Sequence, residues 1–296
     1  MPQRRRELLM GSPAWRNALL ASASEPFRLS LTDRLLSAWQ ARWFEMQWRM
    51  SLERAASVDV LPTPTIILGL WRTGTTRLHE RLARLGGWTT PNTWQCFHPA
   101  SFLIQAPPAA APIQRPMDAT WISTTSAQED EFAALLLGER SIYQTFVDPQ
   151  NFDPAIQMLN QWQTESLSTR WEDFLRMVVF ARPGRLLLKS PNHTFRLPWL
   201  AERFPTARFV WLHRDPVEVS ESMVRTWRAM AQLHGRSPLD ETGLRTFVDR
   251  SLAMHDDVWA WARSNLSDRV IHVGHADAVA DDKAWIARLN DALCAP

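Results

Sequence analysis

Two glycines with four residues between them, Gly69 and Gly74, constrain this chain more than any other feature. The run Thr65-Ile66-Ile67-Leu68 leading into them is apolar and rich in β-branched residues, and the segment from Thr76 to Leu85 that follows has helical character. A strand, a tight glycine-bounded turn and a helix start together make a nest of backbone amides that holds an anion. The spacing G-x-x-x-x-G is that of a nucleoside-triphosphate loop, in which Lys and then Ser or Thr follow the second glycine. Here Thr75 and Thr76 follow, and the cation inside the loop is Arg72. The lysine that grips a triphosphate is missing, which points to a different phosphate-bearing donor.

Two further segments narrow that donor. Arg208-Phe209-Val210-Trp211-Leu212-His213 reads as a buried strand ending at Arg214-Asp215-Pro216, where Asp215 suits a helix cap and Pro216 the first helical turn. Ser222 lies about two helical turns beyond Arg214. An arginine at a strand end and a serine on the next helix can grip one phosphate from two sides. Between these loops, Leu186-Leu187-Leu188-Lys189-Ser190-Pro191-Asn192-His193 reads as a third strand that stops at a lysine. That lysine carries weight, because Lys189 and Lys283 are the only lysines in a chain that otherwise uses arginine.

These segments, in this order, resemble the sulfotransferase superfamily, which uses 3′-phosphoadenosine-5′-phosphosulfate (PAPS) as donor. The family's 5′-phosphosulfate loop runs strand, basic residue, Ser/Thr-Gly-Thr-Thr and helix, and Arg72-Thr73-Gly74-Thr75-Thr76 matches it. The family's 3′-phosphate motif is a strand, an arginine and a later serine, matched by Arg214 and Ser222. Its middle strand ends in a lysine near the reacting sulfuryl group, often followed by a histidine. Lys189 and His193 resemble that pair, with the histidine displaced by two positions from the usual spacing. Phe204-Pro205-Thr206-Ala207-Arg208-Phe209-Val210 also resembles the family, so the matches span residues 63 to 230. The resemblance weakens at the C-terminal end, where relatives commonly add a basic loop beyond the helix equivalent to 282–293. It implies sulfuryl transfer from PAPS to an acceptor hydroxyl or amine by in-line displacement, with no metal required. Arg72, Thr73, Gly74, Thr75 and Thr76 would hold the 5′-phosphosulfate, Arg214 and Ser222 the 3′-phosphate, and Lys189 would stabilise the leaving group. His193 is the first candidate for the general base. The acidic group Glu129, Asp130 and Glu131 is its rival, with Glu129 in front, and His98 is a third candidate.

Strands alternating with helices imply an α/β fold with a P-loop-like central parallel sheet and helices on both faces. Residues 1–60 read as an N-terminal helical extension, and residues 61–296 as the PAPS-binding domain. In the extension, Leu35, Leu36, Trp39, Trp43, Met46 and Met50 fall near helical spacing, which reads first as a helix packed on the core, with a dimer contact or a membrane-surface stripe as the alternatives. Gln105 to Pro116, rich in Pro and Ala, reads as an irregular loop. Ser126 to Leu135 reads as a capped helix start with an acidic first turn. Asp153 to Phe180 reads as further helix, as do 240–264 and 281–293, with a strand at Arg269–Val273 between the last two. Most of the 16 tryptophans should be core.

A net charge of +2 does not argue for nucleic acid. Cys96 and Cys294 are too few for a disulfide framework or a metal site, which fits a reducing compartment. No secretory signal pattern follows the basic start, and no run approaches a membrane span, so a cytoplasmic protein is expected. The acceptor is a small molecule, a carbohydrate or a lipid, in a pocket built from the stretches 91–131 and 145–170; the oligomeric state is open. Two rivals stand beside sulfuryl transfer. A P-loop kinase of a small metabolite would need the absent Gly-Lys pair and a magnesium-binding aspartate. A non-catalytic PAPS-binding or scaffold protein would bind the donor product without turnover.

Overall fold

The structure, a computed structural model, describes residues 31–109, 111–114, 121–280 and 282–294. The first thirty residues of the expected extension lie outside the described residues. In chain order the strands are β1 (Thr65–Leu68), β2 (Trp88–Thr89), β3 (Ile113–Gln114), β4 (Trp121–Ile122), β5 (Arg185–Lys189), β6 (Arg208–His213) and β7 (Val270–Gly274). The helices are α1 (Leu31–Arg54), α2 (Thr75–Arg84), α3 (Thr93–Phe97), α4 (Glu131–Leu137), α5 (Asp153–Asn160), α6 (Thr169–Ala181), α7 (Pro191–Thr194), α8 (Leu197–Arg203), α9 (Pro216–His234), α10 (Glu241–Asn265), α11 (His275–Val279) and α12 (Lys283–Cys294). The chain forms two compact units. One contains Pro62–Thr90, Gln144–Ser166 and Gly184–Pro296; the other contains the described residues up to Leu61 with Pro91–Tyr143 and Leu167–Pro183.

The first unit is built on a five-stranded sheet in the order β2-β5-β1-β6-β7, with every pairing parallel. β1, β5 and β6 are near-continuous apolar runs, as expected of strands covered on both faces. On one face Ile67, Leu187, Val210, Leu212 and Val273 pack with Leu78 and Leu82 of α2, Ala278 of α11, and Ile286, Leu289 and Leu293 of α12. On the other, Trp211 lies against His255 and Trp259 of α10, with ring centroids 4.9 and 5.1 Å away. An aromatic cluster of Trp71, Phe195, Trp227 and Phe247 fills the space beyond β1. The buried Trp227 indole N–H donates to Thr145 Oγ1 at 2.9 Å, so burying that ring leaves no polar atom stranded. Because β1 takes β5 on one side and β6 on the other, the carboxyl ends of three strands that carry sequence motifs lie side by side, where open α/β sheets bind ligands.

The second unit combines α1, α3, α4, α6 and the antiparallel pair β3–β4. In α1, Trp48, Ser51 and Ala55 are buried; Ser51 Oγ donates to Ala100 O at 2.8 Å, and the Arg170 guanidinium sits 5.4 Å over the Trp48 ring. The expected core stripe lies on a different face: Trp39 and Trp43 stack on each other at 60% and 46% exposure, and Met46 and Met50 are exposed beside them. The heptad-like spacing is real, but the face that packs is the one carrying Trp48, so the core reading of those four residues is corrected. The acidic helix start is also shifted. α4 begins at Glu131, which leaves Glu129 and Asp130 ahead of it, tied to the core rather than to a helix dipole. Glu129 accepts from the Tyr143 hydroxyl, and Asp130 Oδ2 accepts from Trp171 Nε1 at 2.7 Å. In the Pro/Ala-rich stretch Ile113–Gln114 pairs with Trp121–Ile122, while Ala110 and residues 115–120 lie outside the described residues. The stretch read as one helix from 153 to 180 is two helices, α5 and α6, separated at 161–168.

His255 generates a testable pH dependence. Its ring is buried against Trp211 and 5.2 Å from His213, which in turn faces His272 at 5.4 Å. Burial, reinforced by His213, pushes the His255 pKa down to about 4 from 6.5, against the pull of the Asp256 carboxylate 3.4 Å away. The unfolded chain therefore binds the extra proton between those values, so His255 contributes stability that is complete above pH 6.5 and lost as pH falls toward 4. The melting temperature should drop across that window, and His255→Phe should flatten the drop. An equally steep acid limb in the variant would assign the loss to other groups.

Candidate functional site

The site begins with an unusual backbone. Between β1 and α2 the chain takes a positive φ at Gly69 (140°), Arg72 (72°) and Gly74 (96°). A Cβ on Gly69 would stand 2.9 Å from both Leu212 O and Thr73 Oγ1, so the turn is pressed against β6 as tightly as a glycine allows. The Gly69 N–H donates to Thr194 Oγ1 at 2.9 Å, and Thr73 Oγ1 donates to Leu70 O at 2.7 Å. Arg72 is the one non-glycine residue with positive φ among the described residues, a conformation that costs on the order of 1 kcal/mol and needs outside support. Gly74 occupies the N-cap of α2, so no side chain caps that helix, and its first turn carries no acidic residue. The amides and the positive end of the helix dipole are left for an anion.

Side chains from all three sequence motifs meet at this turn. Arg72 Nε donates to Ser222 Oγ at 3.0 Å, and Arg214 Nη1 donates to the Arg72 carbonyl at 2.8 Å. Lys189 Nζ donates to Thr76 Oγ1 at 3.0 Å. Strand register explains the convergence: Ile67 pairs with Lys189 on one side and with Val210 on the other. The helix carrying Ser222, α9, starts as the sequence implied, with Pro216 in its first turn and Asp215 Oδ1 accepting from Val217 N and Glu218 N at 2.9 and 3.1 Å. Glu218 Oε2 in turn accepts from Arg214 Nε and Nη2, both at 2.8 Å, and holds the guanidinium in place. Three cationic side chains thus surround one turn, a concentration of positive charge that favours a ligand with more than one anionic group.

His193 follows Lys189 on the short helix α7, where Ser190 Oγ caps the turn by accepting from Asn192 N; the imidazole is wholly buried. Glu129, Asp130, Glu131 and His98 belong to the second unit. Burial pushes the His98 pKa below its ordinary value, with the Trp94 carbonyl pulling the other way. Sequence reasoning did not single out Thr194, Glu218 or His275. Thr194 and Glu218 each sit a few residues from a motif residue and were within reach of local reading. His275 Nδ1 lies 2.9 Å from Thr73 O across a long sequence separation, and no local signal marks it. Among the described residues there is no group of three or more His, Cys, Asp or Glu arranged for a metal, and no helix long and apolar enough to cross a membrane.

The model of a family described as the sulfotransferase family matches residues 64–296. Omega-hydroxy-beta-dihydromenaquinone-9 sulfotransferase Stf3 of Mycobacterium bovis and that of Mycobacterium tuberculosis are each 32% identical over 236 residues, which is 75% of this chain and 59% of the relative. The chain therefore matches less than two thirds of the length of these curated relatives. The fold is shared with the crystal structure of sulfotransferase STF9 from Mycobacterium avium (TM-score 0.73, 21% identity, 97% of this chain and 80% of the other). It is shared also with STF1 from Mycobacterium tuberculosis H37Rv (TM-score 0.64, 18% identity, 99% and 83%).

Proposed function

This chain belongs to the sulfotransferase family, and on that footing we propose that it moves a sulfuryl group from PAPS to an acceptor hydroxyl or amine. The observation that carries the proposal is the convergence of Lys189 with Thr76, and of Arg214 and Ser222 with Arg72, on one glycine-bounded turn. The residues suit such a donor: a glycine turn with no room for a Cβ at Gly69, an uncapped helix start, and three cationic side chains gathered around them. The donor supplies a sulfuryl group already activated by attachment to a phosphate leaving group.

In this reading Arg72 through Thr76 hold the 5′ end of the donor, and the strand-end Arg214 with Ser222 takes its 3′-phosphate. Glu218 occupies part of the Arg214 fork and gives way when the phosphate enters. Lys189 faces the charge that develops as the sulfur–oxygen bond to the phosphate breaks and a new bond forms to the acceptor oxygen or nitrogen. A cation fixed in advance is most effective there, because it needs no reorganisation as the charge appears. Positioning and electrostatics supply most of the rate, as in phosphoryl transfer. The acceptor proton passes to His193, the histidine that follows Lys189 on α7. The relative named for a menaquinone-derived acceptor supports a hydroxyl on an apolar or lipid molecule. A cytoplasmic location completes the reading.

Two substitutions test it. Arg214→Ala should weaken binding of 3′,5′-diphosphoadenosine at least about tenfold, as expected for losing hydrogen bonds from a charged group, while 5′-AMP binding changes little. Equal losses for both would remove Arg214 from the 3′-phosphate site. Lys189→Ala should lower turnover by roughly 100-fold with a much smaller change in donor affinity, the pattern of an interaction made in the transition state. An unchanged rate at saturation would contradict that role.

A further inference from the structure

His275 stands where β7 ends and α11 begins, far in sequence from the donor turn it touches. Its Nδ1 is 2.9 Å from Thr73 O. A carbonyl only accepts, so Nδ1 carries the proton and the tautomer is set. The same ring closes over Gly74: a Cβ there would lie 3.0 Å from His275 Nδ1. The peptide that joins Thr73 to Gly74 is trans, like every peptide in the described chain, so its C=O and N–H point in opposite directions. Drawing the Thr73 carbonyl toward α11 therefore turns the Gly74 N–H the other way. Arg214 acts in the same manner on the preceding peptide by holding the Arg72 carbonyl at 2.8 Å. Two successive peptides of a strained turn are each oriented by a side chain from a different strand end.

We infer that His275 is a positioning residue for the donor: through its hydrogen bond to Thr73 O it fixes the peptide plane that aims the Gly74 amide into the anion cradle. The inference rests on the PAPS-binding reading of the same turn. The geometry separates this role from general support of the fold. α11 is anchored to α2 independently, because Arg81 Nη1 donates to Ala278 O at 3.2 Å, while Arg81 Nη2 donates to Asp282 O, ahead of α12, at 2.7 Å. α11 also packs through buried Ala278 into the core. Losing the imidazole therefore removes the grip on Thr73 while α11 stays in place. Asparagine is the informative replacement, since its side-chain amide nitrogen can occupy the position of Nδ1 and donate to the same carbonyl.

The test compares the parent protein with His275→Ala and His275→Asn. The parent is first titrated with 3′,5′-diphosphoadenosine. Binding is expected, and its absence would overturn the donor reading and this inference with it. His275→Ala should then bind roughly five- to tenfold more weakly, the loss of about one hydrogen bond. Donor KM should rise by a similar factor with kcat little changed, and His275→Asn should recover most of the affinity. In the ligand-free protein, hydrogen exchange of the peptide covering 69–76 should be faster in His275→Ala and near the parent rate in His275→Asn. This last readout does not depend on what the ligand is. Parent-like binding and exchange in His275→Ala would overturn the positioning role, as would an asparagine variant no better than the alanine variant. A fall in kcat at unchanged donor KM would overturn it as well.

Discussion

The sheet unit depends on a turn that an ordinary L-residue sequence resists. Between β1 and α2 the backbone adopts positive φ at three positions within six residues, and one of them is Arg72 rather than glycine. Gly69 is required because β6 passes too close for any Cβ. Arg72 is kept in its left-handed conformation by contacts at both ends of the residue: its carbonyl is held by Arg214 and its guanidinium by Ser222. Strain of this kind persists only where the surroundings over-determine it. Here the supports are the same side chains that the sequence motifs nominate for phosphate binding, so the turn's shape and its charge have one origin.

That coupling explains why the flanking elements are where they are. Parallel pairing of β1 with β5 and β6 places Lys189 and Arg214 on opposite sides of the turn. The apolar strands fix those positions by burial on both faces, and the aromatic cluster around Trp71 holds the turn from beneath. Charged groups brought together at one point would repel in the absence of a ligand. Glu218 and the hydroxyls of Thr76 and Ser222 moderate that repulsion, keeping the cations in place for an anionic partner.

Much of this was legible in the sequence because it is local. The glycine spacing, the Asp215-Pro216 cap and the strand ending at Lys189 each lie within a few residues, and the parallel α/β sheet follows from their alternation. The resemblance to sulfotransferases rests on the same short segments. What was not legible is non-local or depends on which face of a helix packs. Nothing near His275 announces that it reaches Thr73. The Trp39-Trp43-Met46-Met50 stripe has the spacing of a core face, yet Trp48 and Ser51 are the residues that pack, because tertiary contacts choose between two apolar faces of one helix. Glu129 and Asp130 looked like a helix's acidic first turn. They are instead partners of Tyr143 and Trp171, a pairing that local propensity cannot foresee.

The claim that most needs testing is that this turn is built for a donor with separate 5′ and 3′ phosphates rather than for a triphosphate. Calorimetric titration of the purified protein with 3′,5′-diphosphoadenosine, run in parallel with magnesium-ATP, addresses it directly. The arrangement of Arg72, Lys189, Arg214 and Ser222 predicts a preference for the diphosphoadenosine of at least about 1.4 kcal/mol, a tenfold ratio. A preference for magnesium-ATP, or binding of neither nucleotide, would contradict it.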